Sequence, residues 1–420
     1  MPDKGCEIVV VYGAGASYSS GYKVVIDPTL IHNPGSSPVP PIDPPLNYNF
    51  FGQDLVKRVA ERFPSIPLFI KHYFRFRDGV NDPACNLGLE EVWSAVDLNH
   101  KHVRLRTFDW EALNQQYEHE VGQRWPDLVD TIDDPRAPGR WRATEYKLLG
   151  DCGRHLKQIC YRIYGKPTLN GLEDRYWKLH HLLTEGGNGH RVEYVTFNYD
   201  TCLERSLYTH DARLQYVTDY DIPNVGFLLR DRVHIAKLHG SINWTFTASR
   251  VKPVEIPSIR YEERRDDSAF WAVEPQYPAG NNWQVTIQEP LVIPPTWFKN
   301  EINDDARAED RITQLILHQW RVALEMLRRA GLVIVVGYSF PATDFHVQRL
   351  FRLAVMSRSN TNPLKLLYCV KADSEEEKRR AEEGVAFLQI ARENIRMEFG
   401  GFGTLCAEGS LKSHLDALRV

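Results

Sequence analysis

Glu-Ile-Val-Val-Val-Tyr-Gly-Ala-Gly-Ala-Ser, residues 7–17, runs from a continuous aliphatic stretch straight into small residues. A short apolar run without polar alternation has two faces to bury, which marks a strand inside a parallel sheet. Gly13, Ala14, Gly15, Ala16 and Ser17 then let the backbone turn sharply and open a helix, whose first amides favour an anion. Taken alone, the Gly-x-Gly pair also reads as a tight strand-to-helix turn, and the third glycine of the dinucleotide motif is missing.

Three further segments repeat the pattern of apolar run followed by polar turn. They are Thr-Phe-Asn-Tyr-Asp (196–200), Lys-Leu-His-Gly-Ser (237–241) and Val-Val-Gly-Tyr-Ser-Phe-Pro (335–341). In open α/β sheets, ligands bind outside the carboxyl ends of the strands. Four such ends together describe one nucleotide site. Asn198 and Asp200 are two apart and share a face if extended. Asn198 suits the orientation of a water or a ribose hydroxyl. Asp200 reads either as a polar contact for a carboxamide or as the cap of a helix beginning with Leu203 and Leu207. His239, next to Gly240, is suited to base work on a hydroxyl, whereas His234 lies within the strand and reads as packing. Gly337 and Ser339 fit phosphate or ribose oxygens, and Asp344 reads equally as a helix cap or a ribose contact. Both Asn198 and His239 sit at strand ends, so alanine at either is expected to leave the fold intact.

The wider chain alternates strands and helices. Strands are expected at 7–12, 192–197, 213–217, 233–238, 332–336, 364–370 and 395–399, with helices at 306–330, 345–357 and 374–393. Ile312, Leu315, Ile316, Ala323, Leu324 and Leu327 form one apolar stripe of the first of these helices. Such alternation implies an α/β, Rossmann-like parallel sheet with helices on both faces. Residues 1–50 and 190–405 make this core. A loop with six prolines between Pro34 and Pro45 leads into a mainly helical insertion over 51–189, with helices at 52–63, 87–98, 109–121 and 142–164 and no strand pattern. A small β or irregular insertion over 243–290 is rich in Trp, Pro and Tyr. Pro294-Pro295-Thr296-Trp297 makes a rigid turn, with Lys299 as a basic tip.

Composition bounds the function. Lys plus Arg is 51 against 55 Asp plus Glu, a net charge of −4 over 420 residues, which gives no sign of a nucleic-acid or anionic-membrane partner. The mixed-charge runs at Arg264-Arg265 and Lys378-Arg379-Arg380 read as solvated faces. Seven cysteines without C-x-x-C spacing argue against a disulfide framework and a cysteine zinc site. No signal peptide or membrane-length apolar run is evident, so a cytoplasmic location is expected.

In this order, the four segments resemble the bacterial branch of the sirtuin-like NAD-consuming family, whose members often act in antiphage defence. Gly-Ala-Gly-Ala-Ser is similar to that family's first phosphate loop, Asn198-Tyr199-Asp200 to its Asn-x-Asp element, Lys-Leu-His-Gly-Ser to its catalytic-histidine segment and Val-Gly-Tyr-Ser-Phe-Pro to its late strand end. Pro-Pro-Thr-Trp and Glu-Glu-Val-Trp-Ser (90–94) also resemble that branch. The resemblance implies NAD as substrate, no metal, catalytic roles for Asn198, His239 and Asp200, and NAD contacts from Gly13–Ser17, Gly337, Ser339 and Asp344. Paired zinc cysteines are absent, Phe197 stands where deacylases carry glutamine, and the Pro-Asp-Phe-Arg sequence is missing after Gly15. Hydrolysis to nicotinamide and ADP-ribose is therefore expected. The alternatives are a non-catalytic NAD- or ADP-ribose-binding regulatory subunit, or a protein deacylase or ADP-ribosyltransferase. The resemblance further implies gating, with a HerA-type ATPase as a possible partner. A homo-oligomer is expected from the aromatics Trp110, Trp125, Trp141, Trp244, Trp271 and Trp283.

Overall fold

The computed structural model describes residues 7–24, 41–60, 63, 65–74, 87–101, 115, 119, 140–164, 167–169, 173–184, 190–216, 233–248, 287–292, 309–359 and 362–419, apart from isolated positions within these spans. The chain divides into two compact units, one of residues 1–24, 167–292 and 302–420 and the other of 25–166 and 293–301.

The first unit is built on strands β1 (Glu7–Tyr12), β4 (Arg191–Thr196), β5 (Leu214–Tyr216), β6 (Val233–Lys237), β9 (Leu332–Val336), β10 (Lys365–Cys369) and β11 (Ile395–Glu398). They form one sheet in the order β11-β10-β9-β1-β4-β6-β5, and every adjacent pair is parallel. This is the α/β, Rossmann-like architecture. The chain leaves central β1 for β4, β5 and β6 on one side, then crosses to β9, β10 and β11 on the other. The topological switch therefore lies at β1, where such sheets open a crevice at their carboxyl edge.

The strand sequences explain why the sheet is buried. Ile8, Val10 and Tyr12 pack on one face, with Tyr176, Tyr194, Trp244, Phe402 and Leu415. Val9 and Val11 pack on the other, with Val195, Leu327, Val335 and Phe351. Alternate side chains of one strand thus serve two cores, which is why β1 carries no polar alternation. Helices Arg175–Thr184, Cys202–Thr209, Gly401–Leu405 and Ser410–Leu418 bring residues to the first core. Helices Glu309–Arg329, Phe345–Met356 and Glu375–Ala386 bring residues to the second. The last of these begins with a capping box between Ser374 and Glu377. Its basic run pairs within the helix, Lys378 with Glu375 at 2.6 Å and Arg379 with Glu383 at 2.7 Å, as a solvated face does.

Two small sheets accompany the large one. β2 (Tyr22–Val24) pairs antiparallel with β3 (Pro167–Leu169). A strand thus exists inside the stretch read as strand-free, because three residues are too few to show a period. β7 (Gly240–Ala248) pairs antiparallel with β8 (Ile287–Val292), and residues 249–286 lie outside the described residues. Trp244 is fully buried in the first core, so it is withdrawn as an interface residue. The two helices after residue 400 are additions to the expected pattern.

The second unit contains helices Asp54–Ala60, Ser65–Tyr73, Leu89–Lys101 and Arg140–Tyr164. Its buried side chains include Phe50, Phe51, Val56, Phe69, Trp93, Leu156 and Ile163. Of the helix expected at 109–121 only Gln115 and His119 are described, both helical, and Pro294–Trp297 and Lys299 lie outside the described residues. No described helix is long and apolar enough to cross a membrane.

Candidate functional site at the carboxyl edge of the sheet

Register places the four polar turns side by side. Tyr12 pairs with both Thr196 and Val336, Thr196 with Lys237, and Val336 with Cys369. These residues form one row across five strands, so β1, β4, β6 and β9 end level. One further backbone bond continues the ladder past each end: Gly13 N–H to Val336 O at 3.0 Å, Phe197 N–H to Tyr12 O at 3.1 Å, Leu238 N–H to Thr196 O at 3.0 Å and Gly337 N–H to Cys369 O at 2.9 Å.

The turns after β1 and β9 interlock. Gly15 donates to the Gly337 carbonyl at 3.0 Å, and Ala16 donates to the Gly13 carbonyl at 2.9 Å. Gly337 has a positive φ of 66°. A Cβ there would lie 2.2 Å from the Ala16 nitrogen, and a Cβ on Gly13 would lie 2.6 Å from the Gly337 carbonyl oxygen. The glycines are thus required for two backbones to touch. The amides of Gly13, Gly15 and Ala16, which the sequence offers to a phosphate, already donate to carbonyl oxygens.

Asn198 ties the next turn to the first. Its side-chain nitrogen donates to Gly13 O at 3.0 Å and to Ser17 Oγ at 2.9 Å, while its backbone N–H donates to Thr196 Oγ1 at 3.1 Å. A carbonyl oxygen only accepts, so the amide must present its nitrogen to Gly13. The side-chain oxygen is left as the end that can meet water or a hydroxyl. Ser17 Oγ also bonds the Tyr176 hydroxyl at 2.9 Å. Burial pushes the Tyr176 phenol well above its ordinary range, with Asp200 and Cys202 adding to it, so Tyr176 stays neutral.

Asp200 is buried, and its carboxylate accepts the Cys202 N–H at 3.0 Å. Asp200 thus forms a turn onto the first amide of the helix Cys202–Thr209, one residue before the N-cap position, which Thr201 occupies. Its backbone carbonyl accepts from Lys237 Nζ at 2.5 Å, and Lys237 also pairs with Glu204 at 2.7 Å. Burial holds the Cys202 thiol well above its usual value, with Asp200 and Glu204 adding to it, so the thiol is inert.

His239 follows β6 and is buried among rings. Phe197, Tyr199 and Trp320 have centroids 5.6, 6.1 and 6.3 Å from it. Phe197 and Tyr199 flank Asn198, so the imidazole and the amide share one end of the sheet. Trp320 Nε1 donates to Leu238 O at 3.1 Å and fixes the backbone just before the histidine. On the β9 side, Ser339 is exposed. Asp344 caps the helix from Phe345 through Val347 N–H and accepts the Tyr338 hydroxyl at 2.6 Å, so its cap reading is realised. His234 is fully buried, with Nδ1 3.6 Å from Glu193 Oε1, as a packing residue would be.

Sequence reasoning thus missed Tyr176, Lys237, Glu204 and Trp320. Lys237 alone carried a signal, a charged residue at the end of an otherwise buried strand. Among the described residues no group of three or more His, Cys, Asp or Glu could hold a metal ion.

No family model and no curated protein matches the chain. Among solved structures, the chain is similar to a mutant Sir2 homologue in complex with ADP-ribose, at 12% identity and a TM-score of 0.34, covering 99% of this chain and 94% of that one. It is also similar to a Sir2 homologue in complex with NAD, at 12% identity and a TM-score of 0.35, covering 98% and 90%. Superposition of that degree leaves strand order and register as the ground for the fold.

Proposed function

We propose that the carboxyl edge of the sheet hydrolyses NAD to nicotinamide and ADP-ribose, and that the chain is the toxic effector of a bacterial antiphage defence system. The observation that supports this best is the Asn198 amide bonded to both Gly13 and Ser17. It joins the turn suited to a diphosphate to the turn suited to the chemistry. The diphosphate and its ribose are assigned to Gly13, Ala14, Gly15, Ala16 and Ser17, with Gly337, Ser339 and Asp344 on the β9 side.

The glycosidic bond between the ribose C1′ and the pyridinium nitrogen breaks, and its electron pair leaves with neutral nicotinamide. No strong general acid is needed for that departure. The oxocarbenium-like centre that remains is favoured by fixed dipoles in a site with little water. Asn198, through its side-chain oxygen, orients the water that bonds C1′. His239 orients a ribose hydroxyl or takes the proton that the water gives up. Asp200 shapes the nicotinamide end. NAD is the substrate, and the reading includes no metal. An unguarded activity of this kind would harm its own cell, so a homo-oligomer or a HerA-type ATPase partner is proposed as the gate, in the cytoplasm.

The test is NAD consumption and product analysis with the purified chain, wild type against His239→Ala, with and without an acetyl-lysine peptide. Loss of base catalysis is expected to slow turnover by ~10²–10⁴-fold. Turnover by His239→Ala at the wild-type rate would refute the assignment. A wild type that binds NAD without consuming it would make the chain a sensor, and peptide-dependent turnover would make it a deacylase.

A further inference from the structure

Lys237 and Glu204 form an ion pair at the heart of the first unit, with side chains 0% and 1% exposed. Removing two charges from water is costly, and replacing such a pair with apolar residues of similar volume is often neutral or stabilising. Stability alone therefore does not explain a fully buried lysine at the end of β6. Its contacts suggest what does. Nζ donates to Glu204 Oε1 at 2.7 Å and to the Asp200 carbonyl at 2.5 Å. Its backbone N–H donates to Gln319 Oε1 at 3.2 Å. Two residues later in the chain stands His239, and two residues before Asp200 stands Asn198.

We infer that Lys237 is a positioning residue, whose ammonium holds the turn bearing Asn198 in register with the strand end bearing His239, with Glu204 as its counter-ion. The ammonium has three donors that rotate freely about its end, so it can serve acceptors from two elements at once. The turn is held by a second bond on the same side, since Ile242 N–H donates to Tyr199 O at 3.1 Å. Without Lys237 the turn would keep that bond and the Asn198 bonds to Gly13 and Ser17, but not the one at Asp200. The amide and the imidazole would then drift relative to one another. An error of about 1 Å between reacting groups can lower a rate by about 10²-fold. This inference rests on the NAD-hydrolase reading.

Lys237→Met alone would take from buried Glu204 the ammonium it meets at 2.7 Å, so its failure to fold would be ambiguous. Lys237→Met/Glu204→Leu removes both charges and keeps the volume. The double variant is expected to melt close to wild type and to bind NAD within about threefold of it, with kcat lowered at least about tenfold, the pattern of a lost transition-state alignment. Amide hydrogen exchange at residues 198–202 is expected to quicken locally. Recovery of wild-type kcat and wild-type exchange in the double variant would overturn the inference. Lys237→Arg keeps Glu204 compensated and covers the case in which the double variant does not fold. In it, any loss of turnover should track loss of protection at 198–202, and turnover lost with protection intact would overturn the inference equally. If wild type leaves NAD intact, the hydrolase reading falls, and exchange at 198–202 still decides the role of Lys237.

Discussion

Replacing Asn198 with alanine tests whether this residue is a chemical group, a structural tie, or both. The side-chain nitrogen makes two bonds, at 3.0 Å to Gly13 O and 2.9 Å to Ser17 Oγ, in a buried setting. Each such bond contributes about 0.5–1.5 kcal/mol net, and a buried partner left unsatisfied costs about 1–3 kcal/mol. Ser17 keeps the Tyr176 hydroxyl and the Gly13 carbonyl keeps the Ala16 N–H, so two bonds are lost and neither acceptor is left without a partner. Asn198→Ala should therefore destabilise the first unit by about 1–3 kcal/mol. This replaces the expectation, drawn from strand-end position alone, that the substitution leaves the fold untouched. Asn198→Asp should cost more than alanine, because it turns an acceptor towards an acceptor. The assay is equilibrium urea unfolding of the three proteins, read from the midpoint at constant slope. Alanine unfolding at the wild-type midpoint while turnover is lost would refute the structural half of the argument. Asn198→Asp equal to wild type would show that the amide does not face Gly13 at all.

Gly337→Ala combines a left-handed φ, costing about 1–2 kcal/mol, with a Cβ 2.2 Å from the Ala16 nitrogen. A loss of at least about 3 kcal/mol is expected once the Gly15 bond to Gly337 opens, and a wild-type urea midpoint would contradict the interlock. His180 accepts or donates at Tyr194 across 2.8 Å and is held down to about 4 by burial, with His181 adding to it. The unfolded chain takes up that proton at its ordinary pKa of about 6.5. Stability should thus be full above about pH 6.5 and fall by up to ~3 kcal/mol as the pH drops towards 4. His180→Gln should flatten that limb of the pH–stability curve, and an unchanged limb would clear His180 of it. Chelation with EDTA should leave NAD turnover unchanged, since the sequence has no C-x-x-C pair. Activity lost on chelation and restored by a metal would reverse that expectation.

The strands were legible wherever both faces are buried. Leu332–Val336 matches the expected strand residue for residue, and the runs at β1, β4, β6 and β10 differ from expectation by at most a residue at either end. Helix Glu309–Arg329 was legible from its apolar stripe for the same reason, a period long enough to read. What failed was short or distant. The β2–β3 pair has three residues a side, too few for alternation. Helix Ser410–Leu418 carries Leu411, Leu415 and Leu418 on its buried side, a helical spacing only two turns long. Tyr176 could not be found from sequence, because its role depends on the Ser17 hydroxyl 159 residues away.

The polar groups at this edge are mostly used to hold one another. The Gly13, Gly15 and Ala16 amides, the Asn198 nitrogen, the Asp200 carboxylate and the Asp344 carboxylate each have a protein partner. Each of these residues also has the donor or acceptor chemistry of a ligand contact. Both readings follow from one physical fact. A strand end that must present dipoles in fixed directions needs neighbours that stop those dipoles from relaxing, and the best neighbours are other polar groups. The residues that sequence singles out at such an edge are therefore frame and site together, and their substitution should move stability and turnover at once. Where the two separate, as the paired removal of Lys237 and Glu204 is designed to make them, the groups that act on substrate can be told from the groups that aim them.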